Sequence, residues 1–132
     1  ILKLEEFGKY IGIAFQLLDD ALDYEKSKNK IGKNIGDDFK EGKITFPVLL
    51  ALKKSNMSEQ SFWRKVIEDF DQGEEDFKTA QNLLLKYNAL NETKKVAEQY
   101  AKKAEGLLSG FPNNIYNSAL GEITRFVFTR EN

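Results

Sequence analysis

One segment restricts the fold more than any other. Over residues 2 to about 24, apolar side chains recur at helical spacing with no proline in the run, which predicts one long α-helix. At roughly 100° per residue, Gly12, Gln16, Asp19, Asp20 and Asp23 fall within about a quarter of the circumference. Ile11, Ile13, Ala14, Phe15, Leu17, Leu18, Ala21 and Leu22 fill the rest. The three aspartates are the only charged residues between positions 10 and 24. A helix that is apolar over most of its circumference is covered on most sides. The acidic stripe is therefore expected to face an internal cavity.

The helical period continues downstream. Residues 26–36 are polar and include Gly32 and Gly36, so they read as a loop. Asp37 or Asp38 is expected to cap a short turn running toward Gly42. Thr45-Phe46-Pro47 reads as a helix start, with Thr45 as cap and Pro47 in the first turn, and the helix continues into Lys53-Lys54. Ser58 is expected to cap a helix through Phe62, Trp63, Val66, Ile67 and Phe70, with the aromatic residues in the core. Gly73 separates it from a helix carrying Phe77, Ala80, Leu83, Leu84 and Tyr87. Asn91 is expected to cap a helix through Ala97, Ala101, Ala104 and Leu108. Gly110-Phe111-Pro112-Asn113 breaks the chain before a last helix with Ile115, Ala119, Ile123, Phe126 and Val127. No period-2 alternation or Asn-Gly hairpin signal appears. The fold class is all-α, about six antiparallel helices joined by short loops, and the 132 residues suit one domain or one piece of a larger one.

Composition decides what such a bundle can do. Hydrophobic residues make up 41% of the 132, enough for a core and too many for a disordered tail. Twenty basic residues against 21 acidic ones leave a net charge of −1, with no basic excess for nucleic acid or an anionic membrane. No charge-free apolar run approaches the roughly 18 residues of a transmembrane helix, and no signal peptide is visible, so a cytoplasmic location is expected. There is no Cys, hence no disulfide, thiolate metal site or Cys nucleophile. There is no His, hence no Ser-His-Asp triad and no His-ligated metal. Carboxylates, lysines, hydroxyls and backbone remain. Any metal bound by such oxygen ligands is a hard cation such as Mg²⁺.

The aspartates invite such an ion. Aspartate is a poor helix former, and the like-charged Asp19/Asp23 pair at i, i+4 costs a further few tenths of a kcal/mol. Partly buried, the cluster needs either raised pKa values or a cation. Mg²⁺ takes one or two carboxylates, keeps several waters and completes its shell with substrate phosphate oxygens. A solvated acidic face is the bland alternative; the apolar surroundings of the stripe weigh against it. Beyond the stripe, Gly32, Gly36 and Gly42 permit close approach of backbone to a ligand. Lys33 and Lys43 beside them are compact charges suited to a diphosphate. The Walker A pattern is absent. Asp37 and Asp38 read first as capping groups and second as metal partners acting through water.

These residues resemble a known family. Gly12-x-x-Phe15-Gln16-x-x-Asp19-Asp20-x-x-Asp23 is similar to the second aspartate-rich motif of the trans-isoprenyl diphosphate synthases, or polyprenyl synthetases. The run from Gly32-Lys33-Asn34-Ile35-Gly36-Asp37-Asp38-Phe39 through Glu41-Gly42-Lys43 to Thr45-Phe46-Pro47 is similar to the segment that follows it, most like the medium- and long-chain (octaprenyl-type) branch. The match is dense over residues 12–52 and only a general helical pattern beyond.

The resemblance implies an all-α isoprenoid synthase fold and Mg²⁺-dependent head-to-tail condensation. In that chemistry an allylic diphosphate ionises, isopentenyl diphosphate attacks the carbocation, and a proton leaves. By motif match, Asp19, Asp20 and Asp23 hold Mg²⁺ directly or through water. Asp19, Asp20 and Lys33 carry the catalysis, Lys33 contacts the allylic diphosphate, Lys43 assists, and Phe15 and Gln16 line the cavity near the isopentenyl group. A homodimer is expected from the family. Nothing in the chain matches the family's first aspartate-rich motif or its upstream isopentenyl diphosphate site. The chain is therefore expected to be the C-terminal segment of the domain and inactive alone. A terpene cyclase of related fold and a non-catalytic helical subunit of a two-component synthase are the alternatives. The intact aspartates and Lys33 weigh against both.

Overall fold

The structure, a computed structural model, describes residues 2–25, 36–108 and 122. The regular structure among these residues is entirely helical: α1 (Leu2–Leu22), α2 (Asp37–Lys40), α3 (Phe46–Lys54), α4 (Met57–Trp63), α5 (Asp76–Lys86) and α6 (Ala89–Leu108). Of the loop expected over residues 26–36, the part from 26 to 35, with Lys33, lies outside the described residues. So does the last predicted helix, Glu122 excepted. The chain divides into two compact units, one of residues 1–18 and 94–132, the other of residues 19–93. The divisions fall within α1 and within α6.

In the first unit, Phe7, Ala104 and Leu108 form a buried cluster, with Tyr10, Ile11 and Leu107 packed against it. Ala97, Ala101 and Ala104 are buried on one stripe of α6 at helical spacing. The Tyr10 and Tyr100 rings lie 6.0 Å apart, and the Lys103 ammonium sits 5.0 Å from the Tyr100 centroid. Lys102 stays exposed and pairs with Glu98 at 3.1 Å. Both lysines lie on the exposed face of this helix.

In the second unit, Trp63, Val48, Val66, Leu84, Tyr24 and Phe39 are among the buried members of the core. Phe77 joins two of them, stacked on Tyr24 at 5.8 Å and edge-on to Phe39 at 5.5 Å. Gln72 extends its side-chain amide to the carbonyls of Phe39 (2.7 Å) and Val66 (2.9 Å), tying α2 to the end of the α4 region.

Four local expectations are corrected. The α4 cap is Asn56, not Ser58: Asn56 Oδ1 accepts from the Glu59 N–H at 2.8 Å, and Glu59 Oε1 accepts from the Asn56 N–H at 2.9 Å. This reciprocal box satisfies two otherwise orphaned donors. Phe70 is not core. After Trp63 the chain widens into a π-helical turn, Arg64–Glu68, closed by Asp69 N–H to the Arg64 carbonyl at 3.1 Å. The extra residue in that turn shifts the following side chains out of phase, and Phe70 ends 62% exposed with φ 53°. Asn91 lies inside α6, which starts two residues earlier after Asn88 at φ 55°. Thr45 occupies the cap position of α3, but its hydroxyl makes no capping bond. Pro47 at the second helical position removes one of the N–H groups such a cap would serve.

Candidate functional site

Asp19 and Asp20 sit in the last turn of α1, at the negative end of the helix dipole, and no basic residue shares that turn. Helix stability alone does not favour carboxylates there. Burial rises along the stripe. Gly12 and Gln16 are exposed, Phe15 is 46% exposed, Asp19 is half-buried, and Asp20 and Asp23 are buried. In this chain the stripe is thus covered at its downstream part and open at its upstream part. There the flanking Ile11 and Ile13 are only half-buried, unlike Leu17, Leu18 and Ala21 further along.

The helix ends by tightening. Tyr24 N–H bonds to the Ala21 carbonyl at 3.2 Å and Glu25 N–H to that of Leu22 at 3.1 Å, the i to i+3 pattern of a final turn. Asp23 then closes onto α2 twice. Its carbonyl accepts from Gly36 N–H at 2.9 Å, and its carboxylate accepts from Asp38 N–H at 2.9 Å. The side chain that serves the start of α2 is thus Asp23, fifteen residues upstream, and not Asp37 or Asp38 as expected from local sequence. The cap position belongs to Gly36, whose φ of 89° L side chains rarely adopt. A Cβ there would stand 2.9 Å from the Phe77 ring.

The other end of α2 is a Schellman turn. Gly42 N–H bonds to the Phe39 carbonyl at 3.0 Å and Lys43 N–H to the Asp38 carbonyl at 2.9 Å, with Gly42 at φ 70°. Lys43 is held at the first residue past this turn. Its ammonium lies 3.8 Å from Asp38 Oδ1 and 3.2 Å from Glu41 Oε2. The Asp38 side chain is 5% exposed, whereas those of Lys43 and Glu41 are 58% and 59% exposed.

Tyr24 is buried behind this network. Its carbonyl accepts from the Gln81 amide at 2.8 Å, and its hydroxyl has no hydrogen-bond partner among the described residues. Burial, with the charges of Asp23, Asp38 and Asp20 adding to it, holds the Tyr24 hydroxyl well above the ordinary tyrosine range.

The structure thus joins Asp23, Asp38 and Lys43 in one network, with Asp19 and Asp20 one turn back on α1. Phe15 and Gln16 lie a further turn upstream. Lys33 falls outside the described residues. Sequence reasoning missed that Asp38 stands between Asp23 and Lys43. A partial signal was present, because a glycine just past a helix end is the mark of a Schellman turn. The Asp23 contact carries no local signal. Among the described residues, no three acidic side chains converge closely enough to hold a metal by themselves. An all-oxygen donor set of one or two accessible carboxylates still fits a hard cation that takes its remaining ligands from water and phosphate.

The fold is that of solved polyprenyl-chain synthases. A decaprenyl diphosphate synthase from Rhodobacter capsulatus superposes with a TM-score of 0.90 and 36% identity, over 99% of this chain and 40% of that one. A polyprenyl synthase from Caulobacter crescentus, solved with calcium and isoprenyl diphosphate, gives a TM-score of 0.89 and 43% identity over 98% of this chain and 40% of that one. The octaprenyl diphosphate synthase of Haemophilus influenzae is 34% identical over 117 residues, 89% of this chain and 35% of that protein. Residues 1–84 match the polyprenyl synthetase family model. The chain belongs to the polyprenyl synthetase family. It spans only 35% to 40% of the length of these relatives.

Proposed function

We propose that the chain is the C-terminal part of a single isoprenoid synthase domain and supplies one wall of the diphosphate site of a trans-polyprenyl diphosphate synthase. The observation that carries this is the closure of Asp23 onto α2. It joins the acidic end of α1 to the glycine- and lysine-bearing turn, and both lie inside the segment that the family model matches. The reaction is condensation of isopentenyl diphosphate with an allylic diphosphate to lengthen a prenyl chain.

Asp19, Asp20 and Asp23 would hold Mg²⁺ directly or through water. The Caulobacter relative, solved with calcium and isoprenyl diphosphate, supports use of a divalent cation. When bound, such an ion supplies Lewis-acid neutralisation of charge on a diphosphate. The ammonium groups of Lys33 and Lys43 hold the same diphosphate in position and balance charge as it leaves the allylic carbon. Phe15 and Gln16 line the space for the isopentenyl group. The chemistry needs no protein nucleophile, so a chain without His or Cys is equipped for it. On the family resemblance, the protein works as a homodimer in the cytoplasm.

The test is incorporation of labelled isopentenyl diphosphate by the intact natural protein, with and without Mg²⁺. Asp19→Ala and Lys33→Ala are each expected to lose at least about 100-fold in rate, the scale of removing one electrostatic contact to developing charge. Near-normal turnover in both variants would sink the site assignment.

A further inference from the structure

We infer that Asp38 is a positioning residue for Lys43, setting where its ammonium meets the diphosphate. This rests on the assignment of Lys43 to the diphosphate made above. The backbone of Lys43 is fixed by its N–H bond to the Asp38 carbonyl at 2.9 Å, closing the Schellman turn at Gly42. That bond fixes the backbone and not the position of the ammonium at the end of the long side chain. Two carboxylates stand near its ammonium, Glu41 at 3.2 Å and Asp38 at 3.8 Å.

They differ in what they can do. Glu41 is 59% exposed, and an exposed ion pair of this kind contributes little. Asp38 is 5% exposed, and its backbone is pinned from the other side by the buried carboxylate of Asp23 at 2.9 Å. A buried charge held by the fold gives the lysine a fixed reference, and a solvent-exposed one does not. The nearer partner is therefore not the one that sets the position.

The sign of one substitution separates positioning from simple electrostatics. Asp38→Asn removes a negative charge near a bound anion. Coulomb's law alone predicts tighter anion binding, whereas loss of the anchor predicts weaker binding. The measurement is calorimetric titration of the intact natural protein with inorganic pyrophosphate in the presence of Mg²⁺. Lys43→Ala and Asp38→Asn are each expected to weaken binding by roughly threefold to tenfold, and the double variant to be no weaker than Lys43→Ala alone. Glu41→Gln should leave the affinity unchanged.

Unchanged or tighter binding in Asp38→Asn overturns the proposal, and so do additive losses in the double variant. Should Asp38→Asn fail to fold, the exposed Glu41→Gln still decides. A loss there equal to that of Lys43→Ala makes Glu41 the anchor and refutes Asp38; full affinity supports Asp38. A Lys43→Ala variant with normal pyrophosphate affinity would instead remove the assignment of Lys43 itself. That failure is distinct from Lys43 mattering while Asp38 does not.

Discussion

Tyr24 shows how much a single side chain depends on its neighbours. From sequence it is a packing residue beside an acidic motif, and its burial agrees. Its hydroxyl, however, is shut away from water without a partner among the described residues. Leaving such a group unpaired costs about 1–3 kcal/mol. Tyr24→Phe keeps the stack on Phe77 and removes only that oxygen. The variant is expected to be at least as stable as the wild type, with a gain of up to about 1 kcal/mol in urea unfolding. Because burial and the adjacent carboxylates keep the phenol neutral, the result should be the same at pH 6 and pH 9. A clear loss of stability would mean that the hydroxyl is bonded after all.

At the scale of an element, the start of α4 offers a pH test. Hydrogen bonds from Lys86, then Tyr87, then the Asn56 backbone lower the Glu59 carboxyl from 4.5 to about 2. A carboxyl depressed by folding stabilises the folded state above its unfolded pKa. That contribution fades as pH falls from about 5 toward 2. Wild type should therefore melt above Glu59→Gln at pH 6, and the two curves should converge by pH 2. A constant gap across that range would show that the charge on Glu59 is irrelevant. This capping box could have been read from Asn56-x-x-Glu59, since an amide three residues before a glutamate is its signature. The π-helical turn after Trp63 was not legible. It depends on how Val66 and Ile67 settle into the core, and helical spacing continues unbroken in the sequence through Phe70.

At the scale of the whole molecule, the second unit is organised around Trp63, the only tryptophan in the chain and 1% exposed. Its removal leaves a cavity bordered by well-packed neighbours. Trp63→Ala is expected to destabilise by about 3–5 kcal/mol, read from helical circular dichroism because the variant has no tryptophan to report. A cost below about 1 kcal/mol would mean that the core collapses around the gap.

The sequence by itself determined the all-α class, the position of most helices and the chemistry available to the site. Helical periodicity and residue type are local properties, and they survive without knowledge of any contact. The acidic stripe and the glycine–lysine turn were legible for the same reason, as residue types at set spacings. Only the tertiary structure decided how far each aspartate is buried, which side chain serves α2, and which carboxylate stands beside Lys43 as a fixed charge. Those properties depend on atoms brought together across a loop. Asp23 and Asp38 are fifteen residues apart in sequence and 2.9 Å apart in space. No spacing rule encodes that meeting; it goes with the packing of Phe77 against Tyr24 and Phe39, one from each of the two segments that meet.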